Sequence, residues 1–205
     1  MPDAPAVPRH AASLLLVRET PGGPAVLMGQ RGAGHRFMPN RLVFPGGAVD
    51  EADFSAPAAA ALRPEVALRL EAAAEPALAR ALAAAVAREV FEETGLTLGT
   101  PPRLDVLDYL CRAVTPPVSP MRFDARFFVA DAAAAAGTLA GSGELEDLHV
   151  IPVEAALALD LANVTRGVLQ QLLSWLALSP AARAARTRTP LRIEGQWQDE
   201  TWMEE

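Results

Sequence analysis

Three glutamates stand close together in the segment REVFEETGL, residues 88–96. On a helix, a turn of ~100° per residue places Glu89, Glu92 and Glu93 within an arc of about 100°. Carboxylates on one helix face repel each other, and bound cations relieve that repulsion. Ligand sets made of oxygen alone suit Mg²⁺ or Mn²⁺. The segment therefore predicts a divalent-cation site, and a solvated acidic face is the alternative explanation of the same pattern.

The helix that would carry these glutamates is predicted from about Pro76 to Thr94. Alanine, the best helix former, dominates this stretch, and Gly95 follows it as a natural helix end. Arg88 lies four residues before Glu92, so an ion pair between them would fix the orientation of that carboxylate. The opposite face of the helix is apolar and suits core packing. It carries Ala83, Ala87, Val90 and Phe91.

Strands and turns are predicted around this helix from apolar runs that Gly and Pro bound. The predicted strands cover residues 12–17, 25–31, 42–50, 104–114, 122–130 and 148–153. The first two form a hairpin, and the tail from 191 to 202 is interpreted as another. Short helices are predicted across 57–74, a longer one across 154–178 with leucines at helical spacing, and an irregular stretch across 132–143.

The composition excludes several classes of protein. A chain of 205 residues that is 51% hydrophobic can bury a core, so one domain is expected over 1–205, with a tail from about 180 to 205. The net charge of -7 argues against a nucleic-acid partner, since phosphate backbones require a basic surface. Cys111 is the only cysteine, which excludes an internal disulfide. No run is apolar enough for a membrane span or a signal peptide, so we expect a cytoplasmic protein without a membrane partner.

The residues around the glutamate segment resemble the Nudix box, the signature of a superfamily of hydrolases. Upstream stands VFPGG, residues 43–47, and downstream the helix closes with TGL. The matching residues are Gly47, Arg88, Glu89, Val90, Glu92, Glu93, Gly95 and Leu96. The family has an acidic residue between the glycine and the arginine. Asp53 stands at the expected six residues after Gly47, but 34 residues, 54–87, separate it from Arg88.

An insertion, placed at about residues 54–75, therefore splits the box and leaves the role of Asp53 open. Counted back from Arg88, the acidic position holds Arg80 instead. The split spacing and the segments FPGGAVDEADFS and TPPVSPMRFDARFFVA are similar to a branch that resembles the peroxisomal coenzyme A diphosphatases of animals. The insertion either caps the active site and selects the substrate, or packs on the sheet or against a second copy of the chain.

The resemblance implies an α/β fold, a Nudix-like α/β/α sandwich with a mixed sheet and a helical insertion inside the box. It also implies metal-dependent cleavage of the diphosphate bond in a nucleoside diphosphate linked to another moiety. The implied ligands of Mg²⁺ or Mn²⁺ are Glu89, Glu92, Glu93 and the carbonyl of Gly47. The implied catalytic residues are Glu93, Glu92 and Arg88. The implied base is either a box glutamate or an acid on a distant loop, where Glu144 in GSGELEDL is the candidate and Glu146 the next; an ordinary solvated loop acid is the alternative explanation of both.

Arginines near the box are candidates for binding substrate phosphates, because guanidinium groups match phosphate oxygens. They are Arg31, Arg36, Arg41 and Arg122, and an exposed surface position is the alternative for each. The split box implies coenzyme A or an acyl-CoA as the substrate, with ADP-ribose, a nucleotide sugar or a dinucleotide as alternatives. A non-catalytic nucleotide-binding module is a further alternative. Dimers are common in the family, so a second copy of the chain is a candidate partner.

Overall fold

The computed structural model describes residues 6–32, 41–141 and 143–201, and within these ranges nine strands form one mixed sheet. The strands of the chain are β1 (Arg9–Thr20), β2 (Gly23–Arg31), β3 (Leu42–Val43), β4 (Gly46–Ala48), β5 (Leu96–Thr97), β6 (Asp108–Val114), β7 (Phe123–Asp131), β8 (Ala136–Gly137), β9 (Leu145–Pro152), β10 (Arg188–Ile193) and β11 (Gln196–Thr201). The main sheet has the order β11-β10-β6-β7-β1-β2-β3, with β4 added to β1 and β9 added to β2. β5 and β8 pair separately.

Helices cover both faces of the main sheet. They are α1 (Pro64–Glu71), α2 (Pro76–Thr94), α3 (Val153–Leu157), α4 (Asn163–Leu176) and α5 (Pro180–Ala184). α1 and α2 pack on one face, and α3 and α4 pack on the other. β1 is parallel to β7 and β6 is parallel to β10, whereas the remaining pairs of the sheet are antiparallel. The predicted α/β/α sandwich with a mixed sheet is confirmed.

β1 shows how the sequence builds two cores at once. Successive side chains of a strand point to opposite faces of the sheet. Leu14 and Leu16 join the core beneath α2, while Leu15 and Val17 join the core beneath α4. Because the strand is buried on both faces, its sequence is a continuous apolar run and not an alternation of apolar and polar residues.

Several predicted elements agree with the structure, and others do not. α2 has the predicted bounds, and Gly95 ends it in the left-handed conformation with φ 72°. The hairpin at the C-terminus is confirmed as β10 and β11. The single helix predicted over 154–178 is wrong, because the chain leaves the helical path between α3 and α4. There, Arg166 donates to the carbonyls of Leu157 and Leu159 and satisfies groups that a continuing helix would have used.

Smaller corrections concern the segments that flank β6 and β7. The strand predicted over 104–114 begins only at Asp108, because 104–106 forms a single 3₁₀ turn. The stretch 132–143, predicted as irregular, contains a 3₁₀ turn followed by β8. None of the described helices is both long enough and apolar enough to cross a membrane.

Buried arginines fix the insertion to the sheet. Val66 and Leu70 of α1 join the core beneath α2. The buried Arg69 donates to Asp108 of β6 at 2.9 Å, and Arg126 of β7 donates to the carbonyl of Ala73 at 2.9 Å. The insertion is therefore held on the sheet by both apolar packing and charged hydrogen bonds.

Asp124 of β7 neutralises two arginines within the sheet. Its Oδ1 accepts a hydrogen bond from Arg112 Nε at 2.7 Å, and its Oδ2 lies 2.7 Å from Arg126 Nη1. Burial raises the pKa of Asp124, but the hydrogen bond from Arg112 and the charge of Arg126 outweigh burial and hold the pKa below its ordinary value. The ionised form is therefore the one that the fold stabilises.

We expect Asp124→Asn to lower the free energy of unfolding at neutral pH by about 3 kcal/mol, because Arg126 would stay buried without its counter-charge. The stabilisation by Asp124 is present above the ordinary carboxyl pKa of ~4 and is lost as the pH falls through the lowered folded-state value. Urea unfolding near neutral pH and near pH 3 measures this. The difference between wild type and variant should shrink at acid pH, and a difference independent of pH would contradict the assignment.

Candidate active site

Two of the three box glutamates meet the main chain of β4 at the edge of the sheet. The last turns of α2 carry Glu89 and Glu93, and both side chains are largely buried. Glu93 Oε2 accepts a hydrogen bond from the main-chain N–H of Gly46 at 2.7 Å. A Cβ on Gly47 would overlap the Glu89 carboxylate, so a larger residue there would force that carboxylate to move.

Arg88 joins the two parts of the split box. Its Nε and Nη2 donate to the two carboxylate oxygens of the buried Asp53, at 3.0 and 2.9 Å. Its Nη1 donates to Glu89 and Glu92, both at 2.9 Å. The hydrogen bond to Asp53 is the largest of the influences that raise the pKa of Arg88. Arg88 is therefore a positioning residue: it orients Glu89 and does not itself line the cavity described next.

A cavity of about 670 Å³ opens beside this carboxylate pair. Glu89, Glu93, Glu144 and Arg31 line it at the box end, and the sheet forms its floor. Burial raises the pKa of Glu93 to about 8, and the neighbouring charge of Glu89 adds to the rise, against the hydrogen bond from Gly46. Burial also raises the pKa of Glu89, although Arg88 opposes the shift. Burial and mutual repulsion thus make the negative charge of the ionised carboxylates unfavourable unless a cation offsets it.

That charge fits a divalent cation. The described residues contain no ready-made cluster of three or more metal-ligating side chains. Mg²⁺ requires no such cluster, because it typically binds through one or two carboxylates together with waters and substrate phosphates. Glu89 and Glu93 supply two carboxylates, and Gly47, whose carbonyl is a further candidate ligand, lines the same cavity. The donor set is all oxygen, which suits Mg²⁺ or Mn²⁺.

Glu92 was predicted as a metal ligand and catalytic residue, but its side chain does not line the cavity. It is 53% exposed and pairs with Arg88 across one helical turn. The reason is geometric: Glu92 lies on the other side of Glu89 from Glu93 on the helix circumference, and Arg88 holds it there. The expected ion pair between Arg88 and Glu92 is present, and because the same Nη1 also binds Glu89, Arg88 bridges these two carboxylates.

The four arginines predicted to bind substrate phosphates differ in their position relative to the cavity. Arg31 lines the cavity beside Glu93, and its buried Nε has no hydrogen-bond partner in the described structure. Arg41 pairs instead with Asp160. Arg122 donates to the carbonyls of Thr115 and Ala6, and so fastens the chain before β1. Neither lines the cavity, and Arg36 lies outside the described residues.

Sequence reasoning missed several residues that line the cavity. Arg9 of β1 and Arg192 of β10 both do so, as do Ser13 and a set of alanines on the sheet. Arg9 precedes the first predicted strand and Arg192 lies in the C-terminal tail, so no local signal linked either residue to the box. No residue of the insertion, 54–87, lines the cavity, so the insertion does not cap it. Arg80, at the position counted back from Arg88, donates to the carbonyls of Phe54 and Ala56 instead.

We expect Gly47→Ala to lower kcat/KM for a diphosphate substrate about a hundredfold. The added Cβ would overlap the Glu89 carboxylate, and a shift of ~1 Å in a reacting group has an effect of this size. Gly22→Ala is the matched control, because its Cβ would have only an ordinary contact of 3.8 Å with Thr20 Oγ1. Steady-state kinetics of both variants, with circular dichroism to verify folding, tests this. Wild-type kcat/KM in Gly47→Ala would contradict the proposed closeness of backbone and carboxylate.

Comparison with known proteins identifies the class to which this fold and site point. The NUDIX domain family model matches residues 79–172, which extend from α2 into α4. This part of the chain is therefore similar to a Nudix domain, and Nudix hydrolases generally use divalent cations such as Mg²⁺ or Mn²⁺. The match supports an enzyme, a pyrophosphohydrolase that acts on phosphoanhydride bonds. No curated protein matches the chain significantly.

Solved structures share this fold over most of the chain. A NUDIX hydrolase from Alicyclobacillus acidocaldarius has a TM-score of 0.67 and 24% identity, over 88% of this chain and 97% of its own. A MutT NUDIX hydrolase from Burkholderia pseudomallei has a TM-score of 0.54 and 22% identity, over 82% and 99%. The NUDIX domain of Shewanella oneidensis NrtR, complexed with ADP ribose, has a TM-score of 0.54 and 18% identity, over 84% and 90%. At these identities the likeness concerns the fold.

Proposed function

We propose that the protein hydrolyses the diphosphate bond of a nucleoside diphosphate linked to another moiety, with Mg²⁺ or Mn²⁺ as cofactor. The observation that carries this proposal is the meeting of Glu89 and Glu93 at one end of a cavity that Arg31 and Glu144 also line. Carboxylates at the edge of a cavity can bind divalent cations. Such cations, together with the guanidinium of Arg31, can bind the oxygens of a diphosphate.

Glu89, Glu93 and the carbonyl of Gly47 are the proposed holders of the cofactor. A bound divalent cation supplies charge neutralisation for the diphosphate and lowers the pKa of a bound water. Arg88, anchored by Asp53, keeps Glu89 in the orientation that this requires. Arg31 lies near enough to Glu93 for its charge to lower the pKa of that carboxyl, and it is the proposed contact to a phosphate oxygen.

Glu144 is the proposed general base. It lines the same cavity, and its charge influences the pKa of both Glu89 and Glu93. In the proposed reaction the oxygen of water forms a bond to one phosphorus, and Glu144 takes the proton of that water. The bond from this phosphorus to the bridging oxygen breaks, and the second phosphate leaves with the bridging oxygen.

Coenzyme A is the proposed first substrate, because of the split spacing between Asp53 and Arg88. The pairing of these two residues across the insertion supports an intact box despite the split. ADP-ribose is the second candidate, since the Shewanella oneidensis domain with the same fold was solved with that ligand. Both molecules contain the diphosphate that the box end of the cavity would take.

The test is phosphate release, after coupled phosphatase treatment, from a panel of diphosphates with Mg²⁺, with Mn²⁺ and with chelator. The panel contains coenzyme A, acetyl-CoA, ADP-ribose, NADH, a nucleotide sugar and a diadenosine polyphosphate, with products identified by mass. We expect metal-dependent cleavage of coenzyme A into a phosphopantetheine and an adenosine bisphosphate. Cleavage of another member alone would remove coenzyme A and keep the reaction class. If no member of the panel releases phosphate, the proposed reaction is contradicted.

A further inference from the structure

The first turn of α4 brings an unused hydroxyl to the wall of the cavity. Thr165 is only 4% exposed, and its side chain has no hydrogen-bond partner within the described ranges. The hydroxyls of Thr94 and Ser174, also in helices, donate to the carbonyls of Val90 at 2.6 Å and Gln170 at 3.1 Å. Thr165 lines the cavity instead. A buried hydroxyl without a partner costs stability, so this one points to a ligand that completes it.

The start of α4 concentrates hydrogen-bond donors around this hydroxyl. Thr165 is the third residue of the helix, and Val164, the second, lines the same cavity. The N–H groups of a first helical turn have no partner within the helix. The N-cap is Ala162, whose methyl group cannot accept a hydrogen bond from them. A ligand group at this wall therefore meets donors, and a hydrogen-bond acceptor suits it.

The surfaces beside these donors are apolar. Ala113 of β6 and Ala125 of β7 pair in register and contribute small side chains to the floor of the cavity. Phe44 and Phe127 also line the cavity, and their rings meet edge to face with centroids 6.2 Å apart. Small and aromatic side chains around a few fixed polar groups are typical of ligand sites. This combination suits a planar ring whose edge carries acceptors.

Register across the sheet places this region one nucleoside away from the box. Glu93 is bonded to Gly46 of β4, and Gly46 pairs with Ser13 of β1. Ser13 pairs in turn with Phe127 of β7, so two steps at ~4.8 Å separate Gly46 from Phe127 by about 10 Å. The base of a nucleotide lies at a comparable distance from its diphosphate, across one ribose. Val164 packs against the same core as Phe127, so the first turn of α4 covers this part of the sheet.

We infer that Thr165 is a specificity residue whose hydroxyl binds the edge of the substrate's nucleobase, while the ring lies on the apolar floor. The inference rests on the proposed function, which puts the diphosphate at Glu89 and Glu93. Nucleobases carry ring nitrogens and carbonyl oxygens as acceptors on their edges, and their faces stack on apolar and aromatic side chains. The hydroxyl of Thr165 donates to such an acceptor, and a first-turn N–H group supplies a second donor.

The experiment measures calorimetric binding of AMP, ribose 5-phosphate and 4′-phosphopantetheine, with Mg²⁺ present. AMP differs from ribose 5-phosphate by the base, and 4′-phosphopantetheine represents the other half of coenzyme A. Wild type should bind AMP more tightly than ribose 5-phosphate. Thr165→Val keeps the shape of the side chain and removes the hydroxyl. It should weaken AMP binding about three- to tenfold, the value of one neutral hydrogen bond, and leave the other two ligands unchanged.

Two further variants separate binding from folding. Thr165→Ser keeps the hydroxyl and should bind AMP as the wild type does. Thr189→Val is the matched control, because Thr189 of β10 is 1% exposed, has an unpartnered hydroxyl within the described structure and does not line the cavity. Both valine variants should keep or raise the melting temperature, since each removes a buried hydroxyl without a partner. Only Thr165→Val should change AMP binding.

Three results would overturn the inference. They are AMP binding by the wild type that is absent or no tighter than that of ribose 5-phosphate, AMP binding unchanged in Thr165→Val, and a loss in that variant that falls on 4′-phosphopantetheine or equally on all three ligands. These measurements need no turnover, so they are independent of the hydrolysis panel. AMP binding that depends on Thr165, without cleavage of any diphosphate, would support the nucleobase site and contradict the proposed function.

Discussion

Glu93→Gln is expected to lower kcat about a thousandfold, equivalent to about 4 kcal/mol of transition-state stabilisation. Glu93 is the most buried of the box glutamates, at 3% exposure, and its Oε2 is held by the Gly46 N–H. Glutamine keeps the size of the side chain but removes the charge that a divalent cation needs. Added Mg²⁺ should therefore raise the melting temperature of the wild type and leave that of the variant almost unchanged.

Two further variants sharpen this test. Glu144→Gln should lower kcat but keep the Mg²⁺-dependent rise in melting temperature, because a general base acts on the water and need not hold the cation. Glu92→Gln should change kcat less than tenfold, since this carboxylate is exposed and directed toward Arg88. Kinetics over a range of Mg²⁺ concentrations, with thermal unfolding in parallel, distinguishes the three. A larger loss in Glu92→Gln than in Glu93→Gln would contradict the cavity geometry.

The helical part of the site was accessible to sequence reasoning because its signals are local. Alanine propensity, the stop at Gly95 and the spacing of the glutamates all act within a few residues of one another. The same reasoning grouped Glu92 with Glu89 and Glu93, because an angle on a helix wheel does not reveal which carboxylates line a cavity. The orientation of these carboxylates depends on the hydrogen bond between Arg88 and Asp53, two residues that are far apart in the chain.

Sequence reasoning could not find the cavity residues that are placed by strand pairing in the sheet, and the reason is different. Arg192 becomes part of the cavity only because β10 joins β6 in parallel, a pairing between segments far apart in sequence. Arg41 and Arg122 stood close to motif residues in the chain, yet each found a partner outside the cavity. Proximity in sequence was a poor guide to which arginines line the cavity, because that depends on pairing between distant segments of the sheet.

Asp53→Asn is expected to reduce the free energy of unfolding by about 2 kcal/mol and kcat/KM between ten- and a hundredfold. Asp53 is 1% exposed, and it accepts two hydrogen bonds from Arg88 and one from the N–H of Asp50. Asparagine can accept only part of this set and carries no charge. The stability loss is smaller than for a fully buried pair, because Arg88 is 25% exposed and retains Glu89. Activity falls because Arg88 then orients Glu89 less firmly.

Glu51→Gln is the control for this prediction, since it removes the same charge from the same 3₁₀ turn at an exposed position. Its stability and kcat/KM should match those of the wild type. A double-mutant cycle of Asp53→Asn with Arg88→Gln should give a coupling energy of at least about 1 kcal/mol in urea unfolding. Additive effects would mean that the two residues act independently. The box would then depend on α2 alone, and the insertion would separate Asp53 from the site in function as it does in sequence.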